Sequence, residues 1–579
     1  MPRPAPGIYP GVLESAYRRE LESLIKQNAL ARLWAKDTSL WPAEQQEAET
    51  LKSNLSWLDL PEQLGALVTR VAARAAEIEP AGFEDVVFVT LGSSSLAAEA
   101  ALRLPSARLG KRTFLLDHVD PDGVQSLEAI LNLEKTLFIF ASKTGKDIDA
   151  HSLLLYFLDR MRVLGMSSAL SHFVAFAQEN SYLGQLAVEY QFIDRFLDPP
   201  GIHGRYSSLI HFPFFLAAVG HLDAGHLLAR VRSMREACGS KASGEVNPAI
   251  SLGAFLAAAE VEGSDRLVFF SPNTLQPAAH RMGYLVGAST CKGSRGIVPV
   301  FGGASYPLEM LRRGCLVACL RMSGEEGREL EKKCNALQEA GIPVVTIEFN
   351  GPEDLSAELF KWEIATALAC SSMGVNPFLD PDTQDSRGRA ANLFEEISDK
   401  GQLPSPTVRV READIELYAE GETRRELSTL NMSEALRSFF ELRRPDGYLA
   451  LLPFMDVNPA RLGIFRRMSD QLEMRLGIPT LVTGGPRYLH TLAQVYHGGP
   501  AKGLFLLVTA NPTRDLAIPG AKYSLGQLQL ALALADFEAL GRQGRPVIRL
   551  HLARGAEQGL VQLETILKNA PGNRQPAPS

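Results

Sequence analysis

Cysteine is scarce in this chain, and the few present do not pair. Six stand among 579 residues (Cys238, Cys291, Cys315, Cys319, Cys334 and Cys370), with no CxxC spacing. That argues against a disulfide framework or a cysteine metal site. It predicts ordinary buried or semi-exposed thiols of a reducing compartment. A basic excess is also missing. The net charge is -7 and the pI about 6.0, so no nucleic acid or anionic membrane partner is expected, and any basic site must be local. No window approaches the roughly 18 uninterrupted apolar residues of a membrane span. The first residues, MPRPAPGIYPG, lack the apolar core of a signal peptide, so the expected location is cytoplasmic.

What is present is a large apolar fraction, 46% against 22% charged, enough to bury sizeable cores. At roughly 100–200 residues per domain the length allows about three domains. Residues 11–78 carry helical spacing, as at Leu21, Leu24 and Ile25, then Leu64, Leu67, Val68 and Val71. Trp34, Trp41 and Trp57 fall in this segment and are expected to pack it onto the body.

Short apolar runs then alternate with helical stretches. VVFVTL (86–91), TFLLD (113–117), TLFIFA (136–141), HFVAFA (172–177) and YQFIDRF (190–196) read as strands. Ser95–Leu104 and Asp149–Leu164 read as helices between them, and Ser207–Ala237 as a helical stretch interrupted at Pro213. A second round runs through RLVFFS (266–271), CLVACLRM (315–322), PVVTIEF (343–349), YLALLPF (448–454), PTLVTG (479–484), LFLLVT (504–509) and PVIRLHL (546–552). This alternation predicts an α/β fold with two doubly wound parallel-sheet domains behind an N-terminal helical segment. The expected division is 1–80 helical, 81–240 first sheet domain, 241–567 second sheet domain with a polar insertion near 380–434, and 568–579 a disordered tail. Ligands of such folds lie beyond the carboxyl ends of the strands.

Four loops carry polar chemistry. In TLGSSSLAAE (90–99), Ser93, Ser94 and Ser95 follow Gly92 at a helix start; they serve either an anion or the helix cap. In SKTGKDID (142–149), Ser142, Thr144 and Gly145 offer a second hydroxyl-bearing loop, and Lys143 adds positive charge. Together the two loops point to a phosphate or sugar-phosphate site. In DPPGIHGRYSSL (198–209), Arg205 can stabilise a phosphate or a developing enolate, or make a surface salt bridge. LVGASTCKGSRGIVPVFGG (285–303) reads as a polar loop, near a ligand or simply solvated.

Several motifs now align in one order: SSLAAE, SKTG, GRYS, ST.K...GIVPV, NPF.DPD (376–382), YLHTLAQVYHGGP (488–500) and IPGAKYSLGQL (518–528). In that order they resemble glucose-6-phosphate isomerases. They look most like the isomerase half of bifunctional transaldolase/glucose-6-phosphate isomerase proteins, which RLWAKD..LW (32–41) also fits. The resemblance implies two sugar-isomerase (SIS) domains, a homodimer, and interconversion of glucose 6-phosphate and fructose 6-phosphate with no metal or organic cofactor. It assigns phosphate binding to Ser94, Ser142 and Thr144 with Lys143 beside them, enediolate stabilisation to Arg205, and ring opening to His490.

The chain also departs from that pattern. The family's phosphate loop continues with two threonines and a glutamate; here Lys146, Asp147 and Asp149 follow. The family's base is a carboxylate just before ST.K, where this chain has Ala288, and the adjacent glycine is Cys291. A methyl group accepts no proton, and a general base contributes typically about 10²–10⁴-fold. The family's lysine in the YSLGQLQ helix falls at Gln529, with Lys522 the nearest lysine, and the first glycine of GGRYS is His203. Two functions remain open: an isomerase with weak or lost activity, and a catalytically silent sugar-phosphate-binding or regulatory pseudo-isomerase acting through a partner enzyme.

Overall fold

The structure is a computed structural model. It describes residues 7–43, 48–78, 81–103, 111–143, 145, 147–166, 169–241, 247–302, 311, 314–322, 324–404 and 406–569. Two compact units make up the chain. The first comprises Met1–Leu116, Asn132–Ala150 and Met166–Asp380; the second comprises Asp117–Leu131, His151–Gly165 and Pro381–Ser579.

The first unit holds two sheets. In one, the strands Arg112–Leu116, Asp85–Thr90, Thr136–Ala141, Phe173–Gln178 and Asp194–Asp198 lie in that order, all parallel. Asp85–Thr90 and Thr136–Ala141 are buried at every position, which is why they read as unbroken apolar runs. The other sheet runs Ile8–Tyr9, Val344–Phe349, Cys315–Met322, Arg266–Phe270 and Val298–Phe301, with only Ile8–Tyr9 antiparallel. The helices Pro248–Val261, Gln276–Thr290 and Asp354–Met373 are buried almost throughout, as expected of helices apolar on every side. Gly253 permits a close crossing, since a Cβ there would sit 2.9 Å from the Ala365 carbonyl oxygen.

The N-terminal helices close over this core. Trp41 Nε1 donates to the Ala367 carbonyl at 2.9 Å, Trp34 Nε1 to the Cys238 carbonyl at 2.9 Å, and Trp57 packs on Tyr206 and Phe360. The three tryptophans thus do the packing expected of them. All six cysteines are buried thiols.

The second unit holds one sheet in the order Val410–Glu412, Ile415–Ala419, Val547–Leu552, Gly503–Ala510, Tyr448–Phe454 and Thr480–Val482. Its last four strands are parallel, and the first two add an antiparallel edge. Leu436, Phe439, Leu451, Phe465, Leu506 and Leu550 form the centre of its core.

The α/β class with parallel sheets is what the alternating pattern predicts, but the details differ in five places. The strands of segment 241–567, expected in one sheet domain, divide between two sheets. The polar stretch 380–434 supplies the helix Gln384–Lys400 and both edge strands, so it extends the sheet. Pro213 does not break the chain: it sits in the first turn of the helix His211–Val219, where its missing N–H costs nothing. The break comes at residues 220–223, where the Asp223 carboxylate accepts from the His226 N–H and starts the next helix, Ala224–Ala237. The strand expected at 190–196 begins at Asp194. The last helix, Ala556–Asn569, takes in the first two residues of the expected tail, and the rest of that tail lies outside the described residues. No helix among the described residues is long and apolar enough to cross a membrane.

Candidate functional site

In the first sheet the chain leaves Asp85–Thr90 toward one edge and Thr136–Ala141 toward the other. The carboxyl ends of these two neighbours therefore form a switch point, the usual place for a ligand in such sheets. Thr90 and Ala141 are register partners, and Thr90 Oγ1 donates to the Ala141 carbonyl at 2.7 Å. Both serine loops thus leave the sheet side by side. Ser94 lies half-buried in the first turn of the helix Ser93–Arg103. Ser142 Oγ accepts from the Gly145 N–H at 3.0 Å and donates to Asp147 Oδ2 at 2.8 Å. Gly145 is required there: its φ is +70°, and a Cβ would lie 2.3 Å from the Leu183 nitrogen. Thr144 and Lys146 lie outside the described residues.

Arg205 occupies the 3-10 turn Gly204–Tyr206 and is 1% exposed. Its Nη1 donates to the Ala288 carbonyl and its Nη2 to Asp380 Oδ1, while Nε is buried with no hydrogen-bond partner among the described residues. Lys292 Nζ donates to the same Ala288 carbonyl at 2.8 Å and to that of Ser289 at 2.7 Å. Burial and then the Arg205 charge push the Lys143 and Lys292 ammonium groups down to about 8. Burial alone would raise the Asp380 carboxyl, but the Arg205 guanidinium, with the Lys292 charge beside it, outweighs burial and holds it at about 2. Burial and Arg205 also drive His203 well below its ordinary value, so its imidazole is neutral. Asp380 thus feels three cations, Arg205 in direct contact and Lys143 and Lys292 through their charge, with Asp147 acting on Lys143 as a further carboxylate. A buried cluster short of negative charge is suited to an anion.

Residues 285–290, expected in a polar loop, are instead the buried last turns of the helix Gln276–Thr290. Their small side chains fit a crowded interior. Ala288 is 1% exposed and packs with Leu96 and Tyr284. Its carbonyl, at the helix C-terminus, is where Arg205 and Lys292 meet, and cations are favoured at that end of a helix.

His490 lies in the second unit, half-buried at the end of the 3-10 turn Arg487–His490. Within that unit Arg487 pairs with Asp117 at 2.9 Å, and His118 with Asp456 at 3.3 Å. Gln529 Nε2 donates to Asp120 Oδ2 at 3.2 Å and to the Phe454 carbonyl at 2.8 Å. Its Oε1 is buried with no hydrogen-bond partner among the described residues. Lys522 donates elsewhere, to the Ser398 carbonyl at 3.3 Å. A separate buried network joins Asp536 to Tyr488, His497 and Ser386.

No family model matches the chain. A curated glucose-6-phosphate isomerase of Thermus thermophilus is 29% identical over 184 residues, 32% of this chain and 43% of that protein. One from Leptospira biflexa is 23% identical over 398 residues, 60% of this chain and 87% of that protein. The chain resembles glucose-6-phosphate isomerases. It spans less than half the length of the first such relatives. Among solved structures, a hypothetical protein of Thermus thermophilus matches with a TM-score of 0.58 at 21% identity, covering 68% of this chain and 99% of that one. The glucose-6-phosphate isomerase of Chlamydia trachomatis matches at 0.51 and 16% identity, covering 67% and 86%. These two likenesses are to the fold.

The glucose-6-phosphate isomerase pattern marks neither Asp380 as the partner of Arg205 nor Asp147 as the partner of Ser142. The first pair is 175 residues apart, beyond any local signal. The second was legible as a carboxylate five residues on, within reach of the serine across a tight turn.

Proposed function

We propose that the chain binds a phosphorylated hexose, glucose 6-phosphate or fructose 6-phosphate, without metal or organic cofactor, and interconverts the two weakly or not at all. Ser94, Ser142, Thr144 and Lys143 take the phosphate in this reading; Arg205 and His490 are the remaining groups of the isomerisation machinery.

One observation carries it: the position of the isomerases' base is the buried Ala288, whose methyl group packs against Leu96 and Tyr284. Moving a proton between C2 and C1 through an enediol needs a base with a pKa near the working pH. The carboxylate on Arg205, Asp380, is held at about 2 and is too weak a base for that task. The surplus of positive charge around Asp380 supports an anionic ligand all the same.

A second reading, a silent regulatory protein acting through a partner enzyme, is favoured by Asp147. The loop that would grip phosphate already gives its Ser142 proton to a carboxylate of its own. A homodimer belongs to the proposal on the family resemblance alone, and light scattering on the eluting protein tests it. The decisive assay is purified protein with fructose 6-phosphate, coupled to a glucose 6-phosphate dehydrogenase. Turnover at an ordinary enzyme rate, roughly 1–10³ s⁻¹, overturns the proposal.

A further inference from the structure

A cavity of about 70 Å³ lies inside the first unit, among the helices Ser93–Arg103, His211–Val219, Gln276–Thr290 and Asp354–Met373. Six polar residues line it: Ser93, Ser94, Ser207, Ser208, Arg281 and Ser356. Three of them are linked through the turn at Gly204. Ser207 Oγ donates to the Gly204 carbonyl, a Cβ on Gly204 would lie 3.4 Å from Ser93 Oγ, and Arg281 Nη2 lies 3.5 Å from Ser207 Oγ. The rest of the lining is mostly apolar, including Phe212, Leu216, Leu355 and Leu359.

Arg281 is the unusual element. It is 3% exposed, and its Nη1 is buried with no hydrogen-bond partner among the described residues. Its nearest carboxylate, Glu363, stands 3.7 Å from Nη2 and already accepts from the Ser208 N–H at 2.9 Å and the Ser208 hydroxyl at 2.8 Å. Burial pushes the Glu363 carboxyl up to about 7, so near neutral pH it offsets the guanidinium only in part. A buried cationic donor without an acceptor is costly, and a carboxylate is its best complement. A site for one water needs about 10–15 Å³, so this space takes about five to seven water-sized groups. A polyanion would be poorly hosted by a lining so largely apolar.

We propose that this cavity binds a small aliphatic monocarboxylate, with its carboxylate on Arg281 Nη1 and its chain against Leu216 and Leu355. The ligand differs in class from a phosphorylated hexose, and the site does not depend on the sugar-phosphate reading, although Ser94 borders both.

Calorimetric titration of the whole protein with butyrate tests it, with n-butanol and inorganic phosphate as parallel probes. Butyrate is expected to saturate a single site, with butanol weaker by about tenfold or more for want of a charged acceptor. Ala217→Phe, which puts a bulky apolar side chain at the cavity wall and leaves Arg281 in place, is expected to abolish butyrate binding and leave any fructose 6-phosphate binding as it was. Arg281→Gln is expected to erase the preference for acid over alcohol; if that variant does not fold, the acid–alcohol comparison on the unaltered chain decides. The proposal is overturned if propionate, butyrate and valerate all fail to saturate. It is equally overturned if butyrate and butanol bind alike, or if folded Ala217→Phe binds butyrate as the parent does. Absence of fructose 6-phosphate binding with butyrate binding intact removes the sugar-phosphate reading alone.

Discussion

Replacing Asp147 with asparagine removes one negative charge from the loop after the strand Thr136–Ala141 and keeps the side chain's shape. Ser142 Oγ still finds an oxygen at the place where it now meets Asp147 Oδ2 at 2.8 Å. The Gly145 N–H bond to Ser142 that shapes the turn is untouched. A phosphate gripped by this loop would sit roughly 4 Å from the carboxylate, where two unit charges at an effective dielectric of about 20 repel by about 4 kcal/mol. The loop is half-buried and Lys143 shares the field, so a quarter to a half of that, about 1–2 kcal/mol, is the expected gain. That corresponds to roughly 5–30-fold tighter binding of fructose 6-phosphate or inorganic phosphate. Titration calorimetry of parent and Asp147→Asn at low and moderate salt reads it, and the difference shrinks as salt rises. Equal or weaker affinity in a variant that melts like the parent would refute the idea that Asp147 competes with phosphate.

Lys143 and Lys292 titrate near 8 in the folded chain against an ordinary 10.5. The unfolded chain therefore binds more protons between about 8 and 10.5, and unliganded stability rises with pH across that window. A bound anion reverses the local preference, so phosphate binding takes up protons near pH 8 and weakens above it. Calorimetry in buffers of different ionisation heat measures this, and an affinity that climbs with pH contradicts it. Ala288→Glu is expected to destabilise the chain by about 3 kcal/mol or more, because the side chain must enter the contact between Leu96 and Tyr284. No turnover should appear in the coupled assay; a stable, active variant would show that the site has room. Gln529→Lys is expected to fold with a loss of about 1 kcal/mol or less, since the ammonium meets Asp120 and the Phe454 carbonyl. A collapse of the thermal melt would show that this pocket no longer takes a cation.

Some of this was legible from local pattern. Thr136–Ala141, Cys315–Met322 and Tyr448–Phe454 are strands over the same residues that their apolar runs mark out, because a run buried on both faces and bounded by polar turns has little alternative. The stretch 285–290 was not legible: Gly287, Ala288, Ser289 and Thr290 look like loop residues, yet small side chains are also what a crowded helix needs. Pro213 misled for a related reason, since proline breaks a helix only beyond the first turn.

The sequence by itself determined the α/β class, the two neighbouring hydroxyl loops, the absence of a carboxylate at position 288 and the resemblance to glucose-6-phosphate isomerases, because each rests on residue type and order. Only the tertiary structure decided that Arg205 and Lys292 meet at the Ala288 carbonyl and that Arg205 pairs with Asp380. It alone also brought Ser94 and Arg281 to one cavity, and showed that Ser142 donates to Asp147. Those facts depend on segments far apart in the chain or on which way a turn closes, and burial, which sets the charges of Lys143, Lys292 and Asp380, exists only once the chain has folded.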